Sequence, residues 1–554
     1  MKENEWREYW EKRVSTFKKY CFTQKSQFLK AVDNPGNAES NVFHDIIKNI
    51  ENSIYWKSYN VGDLESIDDF KKTIPIRSYD GYQNEIEGEI KNKGGYLNNG
   101  GLVRFLKTSG TTSKSKRIPY TEHWVNDYRT KALGVLWASY LEKCPDMLET
   151  PYSVLDTQTI RELPTEFENG IPCQGITNRN PLIGDKDWDV PWYHAPWMTD
   201  EVPSDYDIRM YIRIRYLIEH DVKFISAINP STLVALHSHI VKNKGKLITE
   251  LKLGTVLGEK RLTPNLKIAN KLEIFTEELP LTYIWENLQL ISCWTISSAS
   301  LYKGMIEKLC PNVDIIPFMT CGSEGVVTLP DTVKNEVGLL AITQGLYEFI
   351  PAEEELSDVL GVAKPDTLNF TQLKVGKEYH LIHSQANGLL RQAVGDIFKV
   401  VSFVNDVPRL EFTRRNGIYH SFTGEKITES QMLSAIQFAY KRNNLKENLF
   451  MCFPVWKDIP NYKIYIETFS SEKIPSNENM SSDIDRYICS VNEEYKSKRE
   501  SKRLDRVKVE FILPRSIEKL LEKEKSNGNS TQAKYKPLQN NIDTMNYLET
   551  VRAN

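Results

Sequence analysis

The chain has 554 residues, 40% apolar and 26% charged. That composition excludes a disordered or collagen-like protein and provides for two to four folded units. Its 71 basic and 74 acidic residues leave a formal charge of −3, so there is no global positive field of the kind that gathers nucleic acid. Eight cysteines, with no C-x-x-C and none closer than Cys310 and Cys321, exclude a disulfide framework and a zinc ribbon.

In chain order, Trp6, Tyr9, Trp10, Val14, Phe17 and Tyr20 recur at helical spacing among charges, which predicts an amphipathic helix and not a secretory segment. No run of eighteen apolar residues occurs, so no spanning helix is expected and the chain is read as cytoplasmic. Asn98-Asn99-Gly100-Gly101 is a turn signal. Beyond it, apolar runs alternate with helical patterns: Val222–Ile228 before a helix Ser231–Lys242, and Leu288–Trp294 before Ser298–Cys310. Ile315–Met319, Gly338–Thr343 and Ile397–Phe403 are further strands. This alternation predicts an α/β architecture with parallel pairing. From near residue 417 a small α+β domain is expected. Its helix is marked by Met432, Ile436, Ala439 and Tyr440, and its strands by Tyr462–Thr468 and Val507–Phe511. Ser470–Asp483 and Lys525–Gln532 are polar and aperiodic, hence expected to be loops. The resulting division is a large domain over 1–415 and a smaller mobile one over 416–554.

His237 and His239, and likewise His380 and His383, fall at spacings that point the two rings of each pair apart, so neither pair is read as a metal site. Trp188, Trp192, Tyr193, His194 and Trp197 form an aromatic-dense stretch that suits either packed core or a flat apolar pocket.

Three segments carry chemistry. Thr108–Arg117 packs six hydroxyl residues, one glycine and three cations into ten positions after an apolar run. A glycine lets backbone N–H groups face an anion, while hydroxyls donate and lysine neutralises, which is the chemistry of a polyphosphate cradle. A polar surface loop has the same composition. Tyr120–Leu141 follows as a helix with Thr121 at its N-cap. The strand Ile315–Met319 ends in Thr320-Cys321-Gly322-Ser323-Glu324-Gly325, placing a carboxylate on a turn where α/β sheets bind ligands. There it is suited to share Mg²⁺ with phosphate oxygens. Gly388-Leu389-Leu390-Arg391 leads to Gly395-Asp396 at the start of a strand. The carboxylate suits ribose hydroxyls, and the arginine has the reach for a phosphate.

In this order these segments resemble the adenylate-forming enzymes, and within them the acyl-acid amido synthetases first known from plants as auxin- and jasmonate-conjugating enzymes. The matching text is Ser109-Gly110-Thr111-Thr112 with Lys116-x-Ile118-Pro119, then Ser323-Glu324-Gly325, then Gly388-Leu389-x-Arg391 with Gly395-Asp396. Next come Pro408-x-Leu410-x-Phe412-x-x-Arg415 and Gly424-Glu425-Lys426-Ile427-x-Glu429, with weaker agreement at Pro75-Ile76-x-x-Tyr79, Asn229-Pro230-Ser231 and Gln532-x-Lys534. The resemblance implies a two-step ligase using ATP and Mg²⁺. A carboxylic acid attacks the α-phosphorus of ATP, and an amine, usually an amino acid, then takes the acyl group and expels AMP. By the same likeness Ser109, Gly110, Thr111, Thr112 and Lys116 cradle phosphates, and Gly322 and Ser323 adjoin the nucleotide. Glu324 holds the metal, Asp396 the ribose and Arg415 the nucleotide at a hinge. Lys534 is the mobile-domain lysine. The partners implied are small molecules, without nucleic acid or membrane, acting on a monomeric or weakly associating protein.

The departures are Ser113 where a loop glycine is usual, Thr320 where an aromatic would stack on adenine, and Ala393 where the wider superfamily has an arginine. Arg391 is the candidate replacement for the last, and Lys536 competes with Lys534. Transfer to a coenzyme A or carrier-protein thiol, and a catalytically silent nucleotide-binding relative, both stay open on the sequence.

Overall fold

The computed structural model describes residues 3–107, 116–157, 166–174, 190–195, 197, 205–227, 230–296, 300, 302–332, 337–415, 419–420, 425, 427–456, 459–469, 475–500, 504–527 and 535–553. The chain forms two compact units. The first comprises residues 1–228, 238–293 and 312–412, and the second residues 229–237, 294–311 and 413–554.

The first unit opens with the expected helix, Glu3–Asp33. It buries Trp10, Phe17, Cys21, Phe28 and Val32, while Tyr9 stays exposed. Phe17 meets Trp137 and Trp192 edge-on, a favoured arrangement for aromatic rings in a core. Four short strands, Val154–Asp156, Phe224–Ser226, Leu290–Ser292 and Asp314–Ile316, form an all-parallel sheet. Three of them overlap the sequence-based strands: two are shorter at both ends, while Asp314–Ile316 begins one residue before the expected Ile315–Met319 and stops at Ile316.

Parallel pairing does not dominate around the other strands predicted in this unit. Leu339–Leu340 and Gln392–Val404 belong to a seven-stranded sheet that is antiparallel except at one edge. There Arg77–Ser78 runs parallel to Gln392–Ala393. The links from Ser384 to Gln392 and from Val404 to Val407 are short enough for hairpins, whereas parallel pairing needs a long crossover. A third sheet carries the hairpin Leu102–Lys107 and Arg117–Thr121, with Ile171–Gln174 and Glu166–Glu168 beside it.

The second unit has a three-stranded sheet, Phe450–Val455, Asn461–Glu467 and Lys508–Ile512, with helices Glu429–Arg442 and Asn477–Val491 packed on each other. The latter helix corrects the loop expected over Ser470–Asp483. Ser476 caps it, and Met480, Ile484 and Ile488 are buried at four-residue spacing, a stripe hidden among Ser, Asn and Asp. The helix Ser516–Asn527 likewise takes the first residues of the loop expected over Lys525–Gln532. The remainder of that stretch lies outside the described residues. None of the eight cysteines is in a disulfide, and among the described residues no helix is long and apolar enough to cross a membrane.

Candidate active site

Lys116 sits where the hairpin's second strand, Arg117–Thr121, begins. Strand alternation turns it away from Arg117, whose guanidinium is held by Glu87 at 3.0 Å and by Glu168. The Lys116 ammonium meets Glu324 Oε1 at 3.0 Å across 208 residues of chain. It also lies 5.2 Å from the ring centroid of Tyr79, within cation–π range. The Tyr79 hydroxyl accepts from Arg117 N–H at 2.6 Å and donates to Arg117 C=O at 3.2 Å. Burial is the main force raising the Tyr79 phenol above its ordinary value, against the pull of the Arg117 backbone.

Glu324 stands on a closed turn. Gly322 N–H donates to Gly325 C=O at 2.9 Å, and Cys321 bridges to Val326. Ser323 Oγ donates to Glu324 Oε2 at 3.0 Å. A Cβ on Gly322 would lie 2.7 Å from Glu324 Oε2, and one on Gly325 would lie 2.6 Å from Gln385 Cδ, so a side chain at either position would displace the Glu324 carboxylate or the Gln385 amide. Gln385 also accepts from Trp124 Nε1 at 3.2 Å. Trp124 ends the first turn of the helical run capped, as expected, by Thr121. A single carboxylate with an adjacent hydroxyl, on a turn with no room for further side chains, fits an ion that keeps waters and phosphate oxygens as ligands. Among the described residues no group of three or more His, Cys, Asp or Glu could hold a metal alone. His380 Nε2 instead lies 3.1 Å from Glu354 C=O.

The sheet face beneath this turn carries the cross-strand row Tyr347, His383 and Gln392. Tyr347 donates its hydroxyl to Val326 C=O at 2.5 Å. Burial holds the His383 imidazole well below its ordinary value, outweighing the upward pull of Glu324, so the ring is neutral at pH 7.

Asp396 is reached differently from the sequence expectation. Gly395-Asp396 does not enter a strand but bulges within one: His380 pairs Ile397 and Ile382 pairs Ala393, leaving Val394, Gly395 and Asp396 opposite Leu381 alone. Gly395 has φ +82°, and such bulges re-aim side chains. Asp396 is half-buried there.

Arg391 must be reassigned. Its side chain is 0% exposed and its five donors are all used. Nε and Nη2 bind Glu348 at 2.9 and 2.7 Å, Nη1 binds the carbonyls of Lys71 and Ile74, and Nη2 also binds that of Lys364. No donor is left for a phosphate. Gly388 is scaffold as well: at φ +92° its Cβ would fall 2.1 Å from Leu97 C=O. Thr320 is buried, with its carbonyl accepting from Val327 N–H at 2.8 Å, and so has no face to stack on adenine. Trp192 and Trp197 are core, donating to Asp156 Oδ2 and Pro151 C=O. Trp188 lies outside the described residues.

Ser109, Gly110, Thr111, Thr112, Ser113 and Lys534 also lie outside them. Lys536 is described and half-buried. Its neighbour Tyr535 is buried with its hydroxyl against Phe450, and Cys452 N–H donates to Pro537 C=O at 2.7 Å, so this segment adds an edge to the second unit's sheet. Arg415 is the exposed last residue of the strand Val407–Arg415. Glu425 is core of the second unit, accepting from Tyr462 Oη, with Asn492 Nδ2 on its carbonyl at 2.8 Å.

Three family models cover most of the chain: the GH3 family N-terminal domain matches residues 24–315, the central domain 338–415 and the C-terminal domain 430–542. The chain belongs to the GH3 family. Among GH3 relatives, indole-3-acetic acid-amido synthetase GH3.4 of Arabidopsis thaliana is 23% identical over 90% of this chain and 88% of its own. The 4-substituted benzoates-glutamate ligase GH3.12 of the same plant is 21% identical over 81% and 82%. The solved GH3 structure of the AtGH3.15 acyl acid amido synthetase in complex with 2,4-DB superposes with TM-score 0.80 at 16% identity, covering 97% of this chain and 96% of that one. The GH3 fold therefore spans both units.

Proposed function

We propose that the protein is an ATP-dependent acyl-acid amido synthetase, which adenylates a carboxylic acid and passes the acyl group to an amine, an amino acid by analogy with its named GH3 relatives. The observation that carries this reading is the meeting of Lys116 and Glu324 at 3.0 Å from distant parts of the chain. A carboxylate acylates poorly and AMP leaves well, so the task of the site is to meet charge that develops on the α-phosphate with fixed donors. In this reading Lys116 faces phosphate together with Ser109, Gly110, Thr111 and Thr112, while Gly322 and Ser323 shape the turn beside the nucleotide. Asp396 accepts from ribose hydroxyls. Mg²⁺ would be held by Glu324 and would neutralise triphosphate charge when bound.

The domain over 416–554 turns about Arg415 between the half-reactions, bringing Lys534 to the reacting phosphate in one orientation. The protein acts in the cytoplasm on small molecules. A hydroxylamine-trapping screen over aryl, indole and fatty acids tests the reading, since it reports adenylation without knowledge of the amine. Hydroxamate formed with one class of acid, followed by amide formation from an amino acid, is the expected result. Acyl transfer to coenzyme A alone, or no ATP cleavage with any acid, overturns it.

A further inference from the structure

We infer that Tyr79 is a positioning residue for Lys116, a tyrosine clamp that sets nucleotide affinity without itself touching the nucleotide. The inference rests on the assignment of Lys116 to the phosphates. Three observations converge on it. The Tyr79 hydroxyl binds both backbone polar groups of one residue, Arg117 N–H at 2.6 Å and Arg117 C=O at 3.2 Å. That grip fixes the backbone immediately after Lys116. The Tyr79 ring lies under the Lys116 ammonium, 5.2 Å from centroid to nitrogen. One side chain therefore constrains both the backbone next to Lys116 and the end of its side chain.

The third observation is that Tyr79 is itself rigidly mounted. Just before it, Arg77 and Ser78 pair with Gln392 and Ala393, at the start of the strand whose bulge carries Asp396. The Arg77 guanidinium is held by Glu85 at 2.8 Å and by the Tyr59 hydroxyl at 3.0 Å. Just after it, Tyr82 is buried with its hydroxyl on Leu390 C=O. Tyr79 thus ties the strand bearing the proposed ribose carboxylate to the strand bearing the proposed phosphate lysine. A functional cation held by its neighbours before substrate arrives loses less entropy when it binds.

The test compares Tyr79→Phe, which keeps the ring and removes the hydroxyl's grip on Arg117, in two backgrounds, wild type and Lys116→Ala. Mg·ATP affinity is read by calorimetry, with kcat and KM read from acid-dependent pyrophosphate exchange. In the wild-type background Tyr79→Phe is expected to weaken Mg·ATP roughly tenfold, the scale of a lost anchoring hydrogen bond, leaving the KM for the acid unchanged. In the Lys116→Ala background the same change is expected to cost less than about twofold, because there is no lysine left to position. Equal losses in both backgrounds, or a parallel rise in the KM for the acid, overturn the inference. If Tyr79→Phe does not fold, Tyr79→Trp, which keeps a ring face and one donor, is put through the same comparison with the same two outcomes. A wild-type protein that binds no Mg·ATP overturns the ligase reading itself, and is distinct from additive losses in a protein that binds it.

Discussion

Lys116 and Glu324 meet ammonium to carboxylate at 3.0 Å, although 208 residues separate them. In the proposed function both serve one triphosphate, which would make their contributions interdependent. Lys116→Ala and Glu324→Ala are each expected to lower acid-dependent pyrophosphate exchange by about 10²–10³. The double variant is expected to lose little more than the worse single one. Losses that multiply in the double variant would place the two residues in separate tasks.

Arg391 gives the opposite expectation. Removing one member of a buried, fully bonded pair leaves Glu348 uncompensated, so Arg391→Ala should cost about 3–5 kcal/mol in denaturant unfolding. Arg391→Lys should also be costly, because an ammonium cannot reproduce the forked contact with Glu348. Whatever folds should retain wild-type affinity for Mg·ATP. A variant of normal stability with weakened ATP binding would return Arg391 to the nucleotide.

Gly325 and Gln385 should behave as a compensating pair. A Cβ at 325 would stand 2.6 Å from the Gln385 amide carbon, so Gly325→Ala must displace either that amide or the turn carrying Glu324. Exchange activity is expected to fall at least about tenfold in Gly325→Ala. Adding Gln385→Ser, which vacates the space, should restore part of it. No recovery in the double variant would mean that backbone freedom, not this contact, requires the glycine.

His123 supplies a pH dependence outside the site. Its Nε2 lies 2.8 Å from Asp45 and its Nδ1 3.1 Å from Asp127. The hydrogen bond that the imidazole donates to Asp45, joined by both negative charges and opposed by burial, raises its pKa above the ordinary 6.5. Because the folded value exceeds the unfolded one, this stabilisation is complete below the unfolded value and fades as pH rises through the folded value. The excess stability of wild type over His123→Gln should therefore be largest on the acid side and shrink in mildly alkaline buffer. For a partly exposed group it should amount to about 1 kcal/mol or less. A difference that stays constant from about pH 6 to about pH 9 would show that the imidazole's charge contributes nothing.

The elements that sequence made legible are those where one residue's chemistry decides its place. Lys116 ends a hydroxyl-rich run and Glu324 sits between glycines, so local composition singles out both as site candidates beside the alternative of a plain surface loop, and only the order of the motifs favours the former. Thr121 is recognisable as a cap because an N-terminal helix N–H needs its hydroxyl. Arg391 misleads because a guanidinium suits carboxylate and phosphate equally, and only the fold brings Glu348 and three carbonyls to it. The Gly395-Asp396 bulge is hidden because strand pairing is a property of two segments, and the register shift requires Leu381 as well. Tyr79 stands in a weakly matching motif, where nothing local reveals that its hydroxyl will hold Arg117.

The bulge at Val394, Gly395 and Asp396 also separates two kinds of evolutionary freedom. Residues on either side, Ala393 and Ile397, keep matching partners and the same facing across the sheet. Changes in composition or length confined to those three positions therefore re-aim one carboxylate while the surrounding ladder is conserved. Under the proposed ribose role of Asp396, changes at Val394 or Asp396 would alter the grip on a sugar at little cost to the ladder, whereas Gly395, at φ +82°, would stay fixed.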